Sequence, residues 1–249
     1  MTVPGTFDTS ARELIHAGLQ NLDEARSLFR QLAASGFDAA RCGLLLDALQ
    51  HVCDPDVALR NLVDIVNAQV SQGRALDDIM PDDTAFRQLV AVLGVSDAMG
   101  KLMRFRPDLV QAAATDHCNS HLYNHDQRRA HVLESVGADP NDRMSPTATM
   151  DLADAATALR RTYRNQLAAI IAQDTMSDDP IALQPRISSE LSDLADAALE
   201  GALAIARHEI AGSEHCRFAI IGMGKLGARE LNYVSDVDLI YVVKAADAD

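Results

Sequence analysis

The pattern of apolar and polar residues predicts helices over most of the chain. From residue 10 to about residue 172, apolar side chains recur three and four positions apart with polar residues between them, which is the spacing of an amphipathic helix. The clearest segments are residues 12–34, with Gly36 as a stop signal, residues 44–52 and residues 57–70. Strand patterns are hard to find here, so we predict a helical amino-terminal region.

Turn-forming residues divide this helical pattern. Aspartate and proline at residues 53–56 and 81–84 suit helix starts. The run GADPNDRMSPTAT, residues 137–149, is rich in turn formers and poor in apolar residues, so we place a linker or exposed loop and a domain boundary there. Beyond it, the spacing predicts two long helices, over residues 152–170 and 187–210.

The character of the chain changes at Cys216. Residues 217–221 form a short apolar run with β-branched side chains, which predicts a buried strand. A glycine turn over residues 222–227 follows, then a predicted short helix over residues 228–232 and a second predicted strand over residues 235–243. The fold class that we expect is therefore α+β.

Composition and charge narrow the possible partners. The 249 residues carry a formal net charge of −14, which disfavours nucleic acid and anionic membranes as partners, because both need clusters of lysine and arginine. The absence of tryptophan and the 4% aromatic content leave little surface for stacking bases. Four cysteines without paired spacing, a start without signal-peptide features and no run of the about 20 apolar residues that cross a bilayer predict a reduced, cytoplasmic protein.

The glycine turn is the first candidate for chemistry. Gly222 and Gly224 would let backbone N–H groups approach a ligand closely, and the turn leads into a helix whose N-terminus favours phosphate. Lys225 would add a positive charge. The pattern GxGxxG alone is a weak signal, because structural strand-to-helix turns and dinucleotide-binding proteins share it.

An acid pair follows at the start of the second predicted strand. Because side chains alternate along a strand, Asp236 and Asp238 should point to the same face. Two carboxylates suit Mg²⁺ or Mn²⁺, which would bridge nucleotide phosphates during displacement at phosphorus. A dinucleotide-binding fold would instead place its acid at the far end of the second strand. The competing structural interpretation is a tight turn followed by a solvated strand end.

The combined motif resembles that of the polymerase-beta-like nucleotidyltransferase superfamily, in which a hydrophobic residue and glycines precede an Asp-x-Asp pair. Lys225 stands where serine is usual in that superfamily. The longer string IGMGKLGARELNYVSDVDLIYV is similar to the glutamine synthetase adenylyltransferase and adenylyl-removing family, in which lysine is usual at this position. Ala228 replaces a glycine common in the family. The helical string LGVSDAMGKLMRFRPDLV also resembles the family's amino-terminal region.

The resemblance implies an activity and its substrates. The family's first catalytic half removes AMP from a tyrosine of glutamine synthetase by phosphorolysis, which releases ADP, and so regulates nitrogen assimilation. It implies that Gly222, Gly224 and Lys225 bind nucleotide phosphates and that Asp236 and Asp238 are catalytic metal ligands for Mg²⁺ or Mn²⁺, with ATP, ADP and phosphate as substrates. A third carboxylate, expected on a later strand, is not in this chain, so we expect a truncated polypeptide that is inactive alone.

The resemblance also implies a domain organisation. We expect a helical region over residues 1–145, long helices that lead into the catalytic domain over residues 146–212, and an incomplete nucleotidyltransferase core over residues 213–249. Two alternatives differ in class. The helical region could be chiefly an interaction module that docks glutamine synthetase or a PII-type nitrogen signal protein. A dinucleotide-binding dehydrogenase is disfavoured by the position of the acids and by the helical content.

Three histidines lie outside this motif. His117, His121 and His125 follow a four-residue spacing and could share a helix face that binds zinc. Polar neighbours favour an exposed helix face instead. The cysteines are expected to be small core residues, since none lies in a context that would activate a thiol.

Overall fold

A computed structural model describes residues 9–80, 82–114 and 123–245. The chain divides into two compact units. The first comprises Met1–Ser120 and Ile171–Asp178, and the second comprises His121–Ile170 and Asp179–Asp249. No helix among the described residues is both long and apolar enough to cross a membrane.

The first unit is helical in its described part, as the pattern predicts. Its helices are α1 (Ala11–His16), α2 (Leu22–Ala34), α3 (Ala39–Leu49), α4 (Pro55–Ser71), α5 (Leu76–Ile79), α6 (Asp83–Val95), α7 (Asp97–Met103) and α8 (Pro107–Ala114). The single helix predicted over residues 12–34 is wrong, because two helices occur there. The backbone N–H groups of Gln20 and Asn21 donate to the Asp56 carboxylate, which holds the chain in a turn, and Asn21 then caps α2.

Side-chain caps mark where α4, α6 and α7 begin, and those at residues 54 and 82 lie in the predicted helix starts. Side-chain oxygens of Asp54, Asp82 and Ser96 accept hydrogen bonds from backbone N–H groups in the first turns of α4, α6 and α7, which satisfies donors that the helix itself leaves free. Helices α4 and α6 pack against each other at the centre. The largest core side chains, all nearly inaccessible to solvent, are Phe29, Leu45, Leu59, Leu62, Ile65, Phe86, Leu89 and Leu93.

The second unit is built on three helices: α9 (His125–Ser135), α10 (Leu152–Thr175) and α11 (Pro180–Glu209). Helix α10 begins in this unit, and its residues from Ile171 belong to the first. Helix α11 begins earlier than the predicted residue 187, because Asp179 caps it and Pro180 occupies the first turn, where a missing N–H costs nothing.

A buried charged group joins these three helices. Arg128 on α9 is only 1% exposed. Its Nη1 donates to Gln166 Oε1 on α10 at 2.7 Å, and its Nη2 donates to Glu190 Oε2 on α11. A buried guanidinium is tolerated only when such partners compensate its charge, so these contacts fix the packing of the three helices.

Residues 137–149 form a loop without helix or strand, as predicted, and it is firmly held. Arg129 donates to the carbonyl oxygens of Pro140 and Asp142 while it pairs with Glu200. The Ala148 N–H donates to the Ala204 carbonyl at 3.0 Å. The loop is therefore part of the second unit's packing, with Ala138 and Ala148 buried in its core.

Two strands complete the unit and confirm the α+β class. Strand β1 (Cys216–Gly222), predicted from its apolar run, pairs antiparallel with β2 (Leu239–Ala245), in a register that places Gly222 opposite Leu239. Between them lies the short helix α12 (Gly224–Gly227). The prediction that β1 is buried is wrong, since each of its residues is exposed or only partly buried, with Ile221 46% exposed.

Candidate active site

The glycine turn lies at the end of the strand pair. Strand β1 ends at Gly222, and α12 begins two residues later. Leu226 on this turn is buried in an apolar cluster with Ile170 of α10 and Leu191 and Leu194 of α11. The turn is therefore packed onto the two long helices of the unit.

Two of its glycines are required by the geometry. Gly224 has a φ of 53°, a backbone conformation that glycine adopts at little cost. A Cβ at Gly227 would lie 2.5 Å from the Gly222 carbonyl oxygen, so any side chain there would force the turn open. The sequence motif thus has a structural requirement of its own, whatever the turn binds.

The short helix predicted over residues 228–232 is wrong. The helical turn is formed by the glycine-lysine segment itself, α12, and the chain leaves it at Ala228. Arg229 then has a φ of 59°, which is unfavourable for a residue with a side chain and ends a helix. Leu231, which the prediction places in this helix, is instead buried in the apolar cluster.

Contacts with α11 hold Arg229 in this conformation. Its Nη1 lies 2.8 Å from Asp193 Oδ1, and its Nη2 donates to Asp193 Oδ2 at 2.9 Å and to Ser189 Oγ at 2.7 Å. Two residues later, the Leu231 N–H donates to Ser192 Oγ at 3.3 Å. Ser189, Ser192 and Asp193 thus fasten the segment after the turn to the helix.

The acid pair lies before the second strand and not within it. Strand β2 begins at Leu239, so the predicted strand over residues 235–243 is wrong for its first four residues. The inference that alternation puts Asp236 and Asp238 on one face therefore loses its basis. What limits the strand is β1, which ends at Gly222 and offers no partner beyond Leu239.

Asp238 nevertheless lies beside the glycine turn. Its carbonyl oxygen accepts a hydrogen bond of 2.9 Å from the Met223 N–H. A Cβ built at Gly224 would be 3.7 Å from Asp238 Oδ2, so the carboxylate faces the glycine directly. Asp236 is two residues away and exposed. Ser235, which donates to Asn232 Oδ1, holds the bend that leads into the pair.

The polar groups around the turn are available to a ligand. Lys225, Asp236 and Asp238 are all exposed. In the part of the chain that the structure describes, none of these three side chains forms an ion pair or a hydrogen bond, and the N–H groups of Gly224, Lys225 and Leu226 have no acceptor. Free backbone donors and an amine suit an anion, while two free carboxylates suit a cation.

Sequence reasoning missed the anchor on α11. Ser189, Ser192 and Asp193 stand three and four residues apart in α11, whose buried residues also include Ser188 and Glu190. This spacing puts them on one face. Polar residues within a buried face could have indicated that a partner segment binds there.

The other predicted groups have mixed outcomes. His117, His121 and Cys118 lie outside the described residues, and His125 is the first residue of α9. Cys42 is a core residue as expected, and burial raises its pKa to about 11. Cys53 and Cys216 are exposed, so the expectation that they are core residues is wrong.

Comparison with known proteins adds a family relationship. A family model described as glutamate-ammonia ligase adenylyltransferase matches residues 86–249. A Bifidobacterium longum protein named bifunctional glutamine synthetase adenylyltransferase/adenylyl-removing enzyme is 68% identical over 243 residues, or 98% of this chain. Proteins of the same name from Leifsonia xyli and Cutibacterium acnes are 36% and 32% identical over 94% and 95% of the chain. The chain spans 23% of the Bifidobacterium relative's length.

Proposed function

Because the chain belongs to the glutamate-ammonia ligase adenylyltransferase family, we propose that it is part of a bifunctional enzyme that adenylylates and deadenylylates glutamine synthetase, and that its glycine turn serves the removal of AMP. The observation that carries this proposal is the position of Asp238, whose carboxylate faces Gly224 on the turn. It puts a candidate metal ligand next to candidate phosphate-binding groups.

The turn supplies the phosphate-binding half of the proposed site. The free N–H groups of Gly224 and Lys225 suit an anion, and a Cβ at Gly227 would lie 2.5 Å from the Gly222 carbonyl oxygen, so the turn keeps its tight form only with glycine there. The Lys225 ammonium adds a charge that a phosphate oxygen would neutralise. In this proposal, Gly222, Gly224 and Lys225 bind the phosphates of the nucleotide.

Asp236 and Asp238 supply the metal-binding half. Their exposed carboxylates are free of ion pairs among the described residues, which fits the oxygen ligands that Mg²⁺ or Mn²⁺ prefers. When bound, such an ion neutralises phosphate charge and orients the group for in-line displacement. The two side chains would hold it against the phosphates at the turn.

The proposed reaction is phosphorolysis. An oxygen of inorganic phosphate forms a bond to the phosphorus of AMP, the bond between that phosphorus and the tyrosine oxygen breaks, and the products are ADP and a tyrosine hydroxyl that has taken up a proton. Lys225 and the free N–H groups would stabilise charge on the phosphoryl oxygens. In this proposal, the other activity, transfer of AMP from ATP to the tyrosine hydroxyl with release of pyrophosphate, lies in the part of the longer protein outside this chain.

We further propose that the 249-residue chain is inactive by itself. Its strand pair leaves apolar side chains of β2 uncovered, with Tyr241 62% exposed and Val243 65% exposed, and a site open to solvent is a poor environment for charge stabilisation. The division into a helical region (1–145), long helices (146–212) and the start of a catalytic core (213–249) belongs to the same proposal, as do a cytoplasmic location and a PII-type protein as a regulatory partner.

The test is magnesium-dependent release of ADP from adenylylated glutamine synthetase and phosphate by the longer protein that contains this chain. Asp236→Asn and Asp238→Asn should each lower the rate by at least about 100-fold, because a lost metal ligand removes several kcal/mol of transition-state stabilisation. Glu214→Gln is the matched control, since Glu214 is an exposed acid just before β1.

The controls separate the outcomes. Activity lost in both aspartate variants and kept in Glu214→Gln supports the assigned site. Unchanged activity in both aspartate variants would mean that the acid pair is structural and that the proposed site is wrong. Addition of the 249-residue chain alone should give no ADP above the rate without protein.

A further inference from the structure

A second group of ligand-bearing side chains lies in the second unit, apart from the glycine turn. His125 is the first residue of α9, and Asp193 and Asp196 are three residues apart on α11, which puts the two aspartates on the same helix face. One ligand atom from each of the three side chains lies within 4.8 Å of the others. The fold thus brings an imidazole and two carboxylates together from two helices.

Asp196 has no compensating partner of its own. In the described ranges of the chain, its half-buried side chain forms neither a hydrogen bond nor an ion pair. Burial raises the pKa of the carboxyl, and the neighbouring His125 and Arg229 partly offset this effect. A carboxylate in this position is costly to keep charged unless a cation joins it.

Asp193 is held in place by Arg229 and keeps ligand capacity. It is only 6% exposed, and its two oxygens face the guanidinium at 2.8 and 2.9 Å. An ionised carboxylate has about four lone-pair sites, so two remain after these contacts. Arg229 also fixes the orientation of the carboxylate, as outer hydrogen-bond partners of metal ligands commonly do.

We propose that His125, Asp193 and Asp196 bind a divalent transition-metal ion of the Zn²⁺ or Co²⁺ type. The imidazole favours such ions over Mg²⁺ or Ca²⁺, which prefer oxygen ligands alone. Arg229 offsets the charge of the Asp193 carboxylate. The imidazole and the two carboxylates together match a zinc site with three protein ligands and one open position.

The distances require a small closure on binding. Zinc bonds of about 2.0–2.2 Å in a tetrahedron put neighbouring ligand atoms about 3.4 Å apart, so atoms that lie within 4.8 Å of one another have to approach by at most about 1.4 Å. His125 can supply most of this movement, because its side chain is 49% exposed. Asp193 is the fixed point.

The open position has room for water or an anion. His125 and Asp196 line a cavity of about 680 Å³ that also includes Arg143 and Arg207. The turn residues Gly222, Leu226 and Gly227 also line this cavity, but none of the three proposed ligands belongs to the glycine turn or the acid pair, so metal binding by them can be tested separately from the proposed function.

The test is titration of the metal-free 249-residue chain with CoCl₂, followed by the visible d–d absorption of Co²⁺ bound to nitrogen and oxygen ligands. We expect one high-affinity equivalent in the wild type. His125→Gln and Asp196→Asn should each weaken binding by more than about tenfold, the loss typical even of indirect contacts to a metal. Far-UV circular dichroism checks that each variant is folded.

Three controls locate the ion. His215→Gln, at an exposed histidine before β1, should leave the titration unchanged. The double variant Asp236→Asn/Asp238→Asn should keep the high-affinity equivalent and lose only weaker binding, because two carboxylates without an imidazole suit Mg²⁺ or Mn²⁺ better. The double variant His117→Gln/His121→Gln, at residues outside the described ranges, should also bind normally. The proposal is overturned if no Co²⁺ absorption develops, if His125→Gln binds like the wild type, or if any of these three controls abolishes binding.

Discussion

Similar apolar side chains are buried in the helices of the first unit and exposed in the strand pair of the second. Leu89 and Leu93 on α6 are fully buried, whereas Tyr241 and Val243 on β2 are 62% and 65% exposed. Both segments carry apolar patterns that predict burial. An apolar pattern therefore indicates a face that is buried only where another surface covers it. Neighbouring helices cover this face in the first unit, whereas β1 alone does not cover the apolar side chains of β2.

This comparison also separates stability from chemistry. Most of the buried side chains that hold each unit together lie on helices, with Leu226 and Leu231 joining them from the segment between the two strands. The exposed Lys225, Asp236 and Asp238 lie on that same segment. Groups that must meet a ligand cannot be fully enclosed by their own chain. The exposed groups between the strands therefore lie where the proposed function needs access.

The largest expected effect is on the helical side of the comparison. Phe86→Ala removes a side chain that is 2% exposed and packs at the centre of the first unit against Phe37. Loss of the buried ring and the cavity that remains should lower the free energy of unfolding by about 4 kcal/mol. The measurement is urea unfolding followed by circular dichroism, with Phe105→Ala, at a 71% exposed residue, as the control.

Phe105→Ala should change the free energy of unfolding by no more than about 0.5 kcal/mol. Equal effects of the two variants would contradict the assignment of Phe86 to the core.

A smaller loss of stability is expected from a change in α11 of the second unit, at the contact between Glu190 and Arg128. Glu190→Ala leaves Arg128 buried with only Gln166 as a partner, so the free energy of unfolding should fall by about 3 kcal/mol. All four tyrosines, Tyr123, Tyr163, Tyr233 and Tyr241, lie in the second unit. Tyrosine fluorescence during urea unfolding therefore reports this unit specifically.

Glu190→Gln is the matched variant, because it keeps an acceptor for Arg128 and loses only the charge. It should lower the free energy of unfolding by less than Glu190→Ala does. If both variants are as stable as the wild type, the contact with Arg128 does not hold the helices together.

The smallest effect is expected on the strand side. Val243→Thr exchanges a methyl group for a hydroxyl at an exposed position of β2 and keeps the β-branched shape. The free energy of unfolding should change by less than about 0.5 kcal/mol. The matched change Val90→Thr, at a fully buried residue of α6, should cost about 1–2 kcal/mol, because its hydroxyl would be desolvated.

If Val243→Thr lowers the free energy of unfolding as much as Val90→Thr does, the proposed difference between the two regions is wrong. It would mean that β2 depends on apolar burial as strongly as the helices do.

Sequence predicted the helices well because their signals are local. Apolar spacing marks each buried face, and Asp54, Asp82 and Ser96 mark the starts of α4, α6 and α7 through hydrogen bonds to the next turn. The break between α1 and α2 was missed because it depends on Asp56, a residue distant in sequence. Non-local contacts of this kind leave no periodic trace.

The candidate site was predicted in part. The turn at Gly222 and Gly224 follows β1 as expected, and Asp238 lies beside it, but for a reason other than strand alternation. The path of the chain between them is set by Arg229 and Leu231 binding α11. Those contacts join residues about forty positions apart, and nothing near Arg229 in the sequence indicates them. The metal-binding role of the acid pair stays a prediction.

The attachment of residues 229 and 231 to α11 has a consequence for the order of folding. Closing a loop costs entropy that grows with its length, by about 0.6 kcal/mol for each doubling, and residues 223–238 must close before β1 and β2 can pair. Fastening the middle of this segment to a preformed helix divides one long closure into shorter ones. Since α11 precedes the strands in the chain, ribosomal synthesis delivers the template before the segments that need it.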